Sequence, residues 1–149
     1  MGLIVNKPAP GVTLNDLLTQ LKIPKGPGAD ASVHFGGPVE NGRGFVLHSA
    51  EYVANDSTLR VDDQFGMTET LDVLSDMAQG EGPNQRILAL GYSGWGPGQL
   101  DGEIHRNGWL TCDASPEIVF GEDNDAKWLA ALKSMGIDPL LLSAEAGHA

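Results

Sequence analysis

The chain is 149 residues long and 41% apolar, with 20 glycines, 9 prolines and a formal net charge of −11. That length and composition suit one domain, able to bury about two-thirds of its unfolded surface. Nine Lys and Arg stand against twenty Asp and Glu, which disfavours the clustered cationic surface that direct nucleic-acid contact or an anionic membrane requires.

A single cysteine, Cys112, excludes an internal disulfide framework and any multi-cysteine metal site, and fits a reducing compartment. No apolar run approaches the roughly 20 residues that span a bilayer. Nor does a basic-then-apolar leader open the chain. The expectation is a soluble cytoplasmic protein without a membrane segment.

In chain order, Leu3-Ile-Val5 reads as a short strand ended by the proline-rich stretch at 6–11. Thr13 is placed to cap a helix in which Leu14, Leu17, Leu18 and Leu21 keep helical spacing, with Asp16 in the first turn. Pro24 to Ala31 reads as a loop. Val33-His-Phe35 begins a strand broken by Gly36-Gly-Pro38, and a turn at 40–44 leads to a strand at Phe45-Val-Leu-His48. Thr58 to Asp62 alternates as a half-exposed strand. A second helix is predicted from about Thr68 to Gln79, with Leu71, Leu74 and Met77 or Ala78 inward and Gly80 as its stop.

Arg86-Ile-Leu-Ala-Leu-Gly-Tyr92 is a continuous apolar run, the mark of a strand buried on both faces. It leads into GYSGWGPGQLDGEIHRNGWL at 91–110, the stretch that organises the rest. Alternating glycines let the backbone turn sharply or pass close to another segment. Pro97 suits a first helical position, Leu100 and Ile104 share the predicted core face, and Asp101 and Glu103 complement the helix dipole. Asn107-Gly108 is a stop, after which Trp109-Leu-Thr-Cys112 resumes as a strand, with Cys112 buried in it. Pro116 to Gly121 reads as another short strand. Asp123 or Asn124 caps a third helix with Trp128, Leu129, Leu132 and Met135 inward and Gly136 as its end. Ile137 to Leu142 is a last apolar segment, and 144–149 a tail. This mixture without strict alternation predicts an α/β or α+β layer structure, its mixed, curled sheet flanked by helices and free to close partly.

His34 and His48 are candidates for a general-base pair or metal ligands if their strands are neighbours, although histidines hydrogen-bonded within strands are commoner. Their spacing matches no local metal motif. Tyr92-Ser-Gly94 does not make a nucleophile elbow. The amides of Gly98 and Gln99 could hold an anion at the helix start, against the repulsion of Asp101 and Glu103. The alternative is tight packing of this loop on the sheet. Trp95, between glycines, is either a buried plug or an exposed anchor for a partner. Candidate binding residues are therefore His34, Gly36, Gly37, His48, Trp95, Gly96, Gly98 and Gln99, with no catalytic set, metal or cofactor expected. The acidic run at 122–125 reads as a helix start, lacking the spacing of a calcium loop.

GLIVNKP at 2–8, HFGGPV at 34–39, FVLHS at 45–49, GYSGWGPGQLDGEI at 91–104, Asn107-Gly-Trp109, IVF followed by Lys127-Trp128, and Gly147-His-Ala149 resemble the AlgH/YqgE family. The likeness covers residues 2 to 149. It implies a compact bacterial α/β protein with a curled sheet, and a role as a transcriptional regulator without an assigned biochemical activity. It brings no catalytic or cofactor residues. It also implies about two further strands ahead of GLIVNKP. Without them a sheet edge is left unpaired, and a homodimer is the expected way to bury it. The leading expectation is a regulatory or binding module working through a protein or small-molecule partner rather than DNA. The competing one is a small enzyme with its site between the 36–38 and 94–99 turns, using His34 or His48 as base.

Overall fold

The leucines behind Thr13 fold as their spacing predicts, into α1 (Leu14–Leu21). Thr13 Oγ1 accepts from the Asp16 amide at 3.2 Å and Asp16 Oδ2 accepts from the Thr13 amide at 2.8 Å. This reciprocal pair satisfies two donors that the helix start leaves open. The computed structural model describes residues 1–29 and 31–142. Its strands are β1 (Pro8–Thr13), β2 (Ser32–Phe35), β3 (Val39–Ser49), β4 (Thr58–Arg60), β5 (Phe65–Thr68) and β6 (Arg86–Tyr92). The other helices are α2 (Leu71–Gln79), α3 (Gln99–His105), α4 (Pro116–Val119) and α5 (Asn124–Ser134), with 3-10 turns at Asn55–Ser57 and Pro139–Leu141.

The strands join into one six-stranded sheet in the order β1-β2-β6-β3-β5-β4. It is parallel between β2 and β6 and antiparallel elsewhere. β1 and β4 are its edges, so the sheet is open rather than closed on itself. β6 lies inside it, with Ile87, Leu88 and Ala89 all buried, as an apolar run covered on both faces must be.

Register decides which side chain faces which way. Val46 opposes Leu88 and Thr68, and His48 opposes Arg86 and Gly66. Phe45 and His34 both oppose Ala89, and Ser49 opposes Phe65. Because successive residues alternate in side, Val46 and His48 share one face while His34, Phe45 and Phe65 share the other. The first face packs under α1 and α2, where Leu14, Leu18, Val33, Val46, Val73, Met77 and Leu88 make a continuous core. Each such side chain contributes about 1.5–3 kcal/mol when buried. On the second face the Phe65 and Phe120 rings meet at 5.5 Å, and the start of α5 reaches β2 through the contact between Asn124 and His34.

Several elements differ from the sequence reading, each for a physical reason. Residues 3–5 are not a strand: Gly2 makes one bridge to Ser93, and the Ile4 amide donates to the Gly36 carbonyl. The strand is instead Pro8–Thr13, whose prolines are tolerated because an edge strand needs amides on one side only. The turn expected at 40–44 stays within β3 as a register shift between Val39 and Gly44, with Glu40 at φ 50°. The helix expected from about Thr68 begins at Leu71, Thr68 being the last residue of β5.

Further on, Gly98 rather than Pro97 adjoins the start of α3, and Glu103 is its buried residue, Leu100 and Ile104 being half-buried. After the Asn107-Gly108 stop, residues 109–115 belong to no strand, and Cys112 is exposed. Pro116–Val119 is helical, not a strand: Ser115 caps α4 and Pro116 supplies its pre-set φ. In α5 the inward residues are Lys127 and Leu132, while Trp128 is 52% exposed. Leu71 is likewise exposed on α2, and Leu140 and Leu141 on the last turn. The predicted tail at 144–149, including Gly147-His-Ala149, lies outside the described residues.

Candidate functional site

The glycine-rich bend is held from inside by Glu103. Its Oε2 accepts from Trp109 Nε1 at 2.6 Å and from Trp95 Nε1 at 3.3 Å, and its Oε1 accepts from Gln99 Nε2 at 2.9 Å. Gln99 Oε1 in turn accepts from the Gly96 amide at 3.0 Å, and the Gln99 amide donates to the Gly96 carbonyl. The two indoles meet edge-on, with centroids 5.7 Å apart. Trp95 lies so close over Gly2 that a Cβ there would sit 3.1 Å from the ring. Trp95 is half-buried, packed against Gly2 and Trp109, and of the amides considered for an anion that of Gln99 is already used. Gly98 takes the left-handed conformation, φ 72°, that begins α3.

Gly36 and Gly37 bring the 36–38 turn against the end of β6. A Cβ on either would overlap the backbone of Gly91 or Tyr92. Residues 2–4 run between this turn and Ser93, hydrogen-bonded to both sides. The space between the two turns is therefore occupied by the chain itself.

His48 is fully buried on the first face. Its Nδ1 lies 2.9 Å from the Ser49 carbonyl and its Nε2 3.0 Å from Thr68 Oγ1, which lies 2.8 Å from Thr58 Oγ1. Thr58 Oγ1 accepts from the Ala54 amide. A carbonyl at one end and an amide at the other set the direction: Nδ1 donates to Ser49, and each hydroxyl donates toward the ring. The Tyr52 ring stands edge-on at 5.2 Å, and Gly66 opposite leaves room for the imidazole, a Cβ there falling 2.6 Å from Cε1. The geometry is that of a structural histidine.

His34 lies on the other face, so the two histidines do not form a pair. Its Nε2 is 3.2 Å from Asn124 Oδ1, at the start of α5. The residue is 7% exposed, and Nδ1 has no hydrogen-bond partner among the described residues. Burial pushes the imidazole below its ordinary pKa, opposed by the Asn124 bond and reinforced by Lys127. Lys127, 5% exposed, donates from Nζ to the Val5 carbonyl at 2.8 Å, and burial lowers its pKa too. These groups line a cleft of about 600 Å³ with Arg86 and Glu122. The sequence reading missed Asn124 and Lys127 as site residues because a lysine at an inward helical position defies the apolar stripe it relied on. Among the described residues no three His, Cys, Asp or Glu are gathered so as to hold a metal ion.

A second cavity, of about 380 Å³, opens between α1 and α2 over the first face. Leu17 and Leu21 come from α1, Leu71 and Leu74 from α2, and Val46, Leu88 and Leu90 form the floor. Asn41, Glu69 and Gln20 supply a polar rim, with Glu69 Oε2 accepting from Arg43 at 2.6 Å. Leu71, 55% exposed, leaves much of an apolar side chain in water at the mouth. Such a cavity, apolar within and sparsely polar at its edge, has the size and lining of small-molecule sites.

Comparison with known proteins agrees with this architecture. The profile described as AlgH-like matches residues 1–140. A UPF0301 protein of Ruegeria pomeroyi is 60% identical over 151 residues, and one of Cereibacter sphaeroides 54% over 150; each match takes in 100% of this chain and 82% of the relative. The solution structure of the AlgH protein from Pseudomonas aeruginosa superposes with a TM-score of 0.79 at 39% identity, covering 100% of this chain and 79% of that one. A crystal structure of a Corynebacterium diphtheriae protein, 19% identical with a TM-score of 0.60 over 80% of this chain and 62% of its own, shares the fold. Among the described residues no helix is long and apolar enough to cross a membrane.

Proposed function

The chain belongs to the AlgH-like family, and from that premise we propose that it is a regulatory binding module whose ligand is a small apolar or amphipathic molecule held between α1 and α2. The cavity of about 380 Å³ carries this reading. Aliphatic side chains exposed around a preformed apolar hollow cost free energy in water, and an apolar ligand removes that cost. Binding would couple to the surface through α2, whose Leu71 lies at the mouth, and so to a protein partner. The net charge of −11 supports action through such contacts rather than by holding DNA.

The competing reading is a small enzyme between the 36–38 and 94–99 turns with His34 or His48 as base. It is less well supported, since residues 2–4 fill that space and the His48 ring nitrogens are both engaged.

Octanol is a suitable probe. Added to the protein, it should raise the melting temperature by mass action and shift the methyl resonances of Leu17, Leu21 and Leu71. Leu17→Trp, which fills the mouth from the half-buried side of α1, should melt normally without octanol and, with it, show no rise in melting temperature and no shift at Leu21 or Leu71. Wild-type protein indifferent to octanol, or a Leu17→Trp variant that responds equally, would refute the proposal.

A further inference from the structure

We propose that the cleft beside the start of α5 is a second binding site, for a small monocarboxylate bearing an adjacent hydroxyl. The carboxylate is held by Lys127 Nζ and the Asn124 side-chain amide, and the hydroxyl donates to His34 Nδ1. The argument begins with what each group has left over. An ammonium offers three N–H donors, of which Lys127 uses one on Val5. With Asn124 Oδ1 accepting from His34 Nε2, the Asn124 nitrogen keeps both donors. The same bond puts the imidazole proton on Nε2, so Nδ1 is an acceptor, buried and unpartnered among the described residues. A buried acceptor without a donor destabilises the fold, and a ligand hydroxyl relieves that. The site therefore asks for an acceptor-rich anion that also carries one O–H.

Charge narrows the class. Glu122 lines the same cleft, so a dianion such as phosphate meets repulsion that a single carboxylate largely escapes. The amides of Asp125 and Ala126 are already taken by Asp123 Oδ1; the helix terminus is capped and does not supply the site. Arg86, whose Nη1 is turned to the Pro83 carbonyl, adds positive charge along the wall.

The test follows the imidazole nitrogens by NMR while glycolate, acetate or inorganic phosphate is added at millimolar concentration. Glycolate should produce a saturable shift at His34 Nδ1, with His48 unmoved, and should bind more tightly than acetate or phosphate. Lys127→Met and Asn124→Ala should each weaken glycolate binding by roughly tenfold, the loss of one charge-assisted hydrogen bond. Asn124→Ala leaves the Asp123 cap in place and serves should Lys127→Met fold poorly. No saturable shift at His34, phosphate binding as well as glycolate, or variants that bind like wild type would each overturn the assignment. The octanol response, at another cavity, stands or falls separately.

Discussion

Glu103 shows how far one residue's role depends on what folds around it. Read along the chain it is an acidic residue in an acidic helix, suited to the dipole. In the fold it is buried and takes three side-chain hydrogen bonds, two from indoles. Hydrogen bonds to a charged acceptor are worth more than neutral ones, and their loss leaves donors unsatisfied. Glu103→Ala should therefore lower stability by at least about 2 kcal/mol in urea unfolding, with Trp fluorescence reporting a loosened Trp95–Trp109 pair. His34 gives a prediction in pH. Its pKa lies below the ordinary 6.5 in the fold, so below pH 6.5 the unfolded chain takes up a proton that the folded chain resists. Stability should fall as pH drops from about 6.5, above the range in which Asp16 and Glu51, with ordinary values of 3.8 and 4.5, lose their contributions. His34→Gln should flatten this upper part of a melting-temperature profile.

At the scale of elements, legibility followed how local each signal is. The Thr13–Asp16 cap and the αL residue Gly80 at the end of α2 involve residues a few positions apart, and both ends were readable. Thr13→Ala removes the side-chain acceptor and should destabilise the protein by about 1 kcal/mol, measured by thermal or urea melting. α4 was misread even though Ser115 and Pro116 are a start signal, because IVF at 118–120 has strand-like composition and the helix is only four residues long. α5 was found, but its face was not. Trp128 and Leu129 are apolar and mostly exposed, while Lys127 turns inward because the Val5 carbonyl, from the far end of the chain, accepts its proton. A stripe drawn from apolarity alone cannot anticipate that bond.

For the whole molecule the acidic surface is the simplest determinant. At −11, with nine cationic side chains against twenty acidic ones, the net charge opposes approach to a duplex. Gel-shift titrations of purified protein should show no salt-sensitive, sequence-selective DNA binding; a salt-dependent shift on a defined sequence would contradict the binding-module reading. The sheet order is the second determinant. It inserts β6 between β2 and β3, and with the alternation of side chains it sends His34 and His48 to opposite faces. Two residues that looked like partners in the sequence thereby became a buried structural link and one wall of a polar cleft.

What the sequence determined by itself was whatever rests on near neighbours or on totals: the mixed α/β class, the family, the two leucine-lined helices, the doubly buried strand at 86–92, and the acidic character. Only the tertiary structure decided that Pro8–Thr13 is an edge strand, that Glu103 and Lys127 are buried, that Trp128 is exposed, and that an apolar hollow remains between α1 and α2. The reason is that a cap, a period or a net charge is a property of adjacent residues or of their sum. Burial and pairing depend on groups as distant as Val5 and Lys127 in the chain, which become neighbours only once the sheet has chosen its order and register.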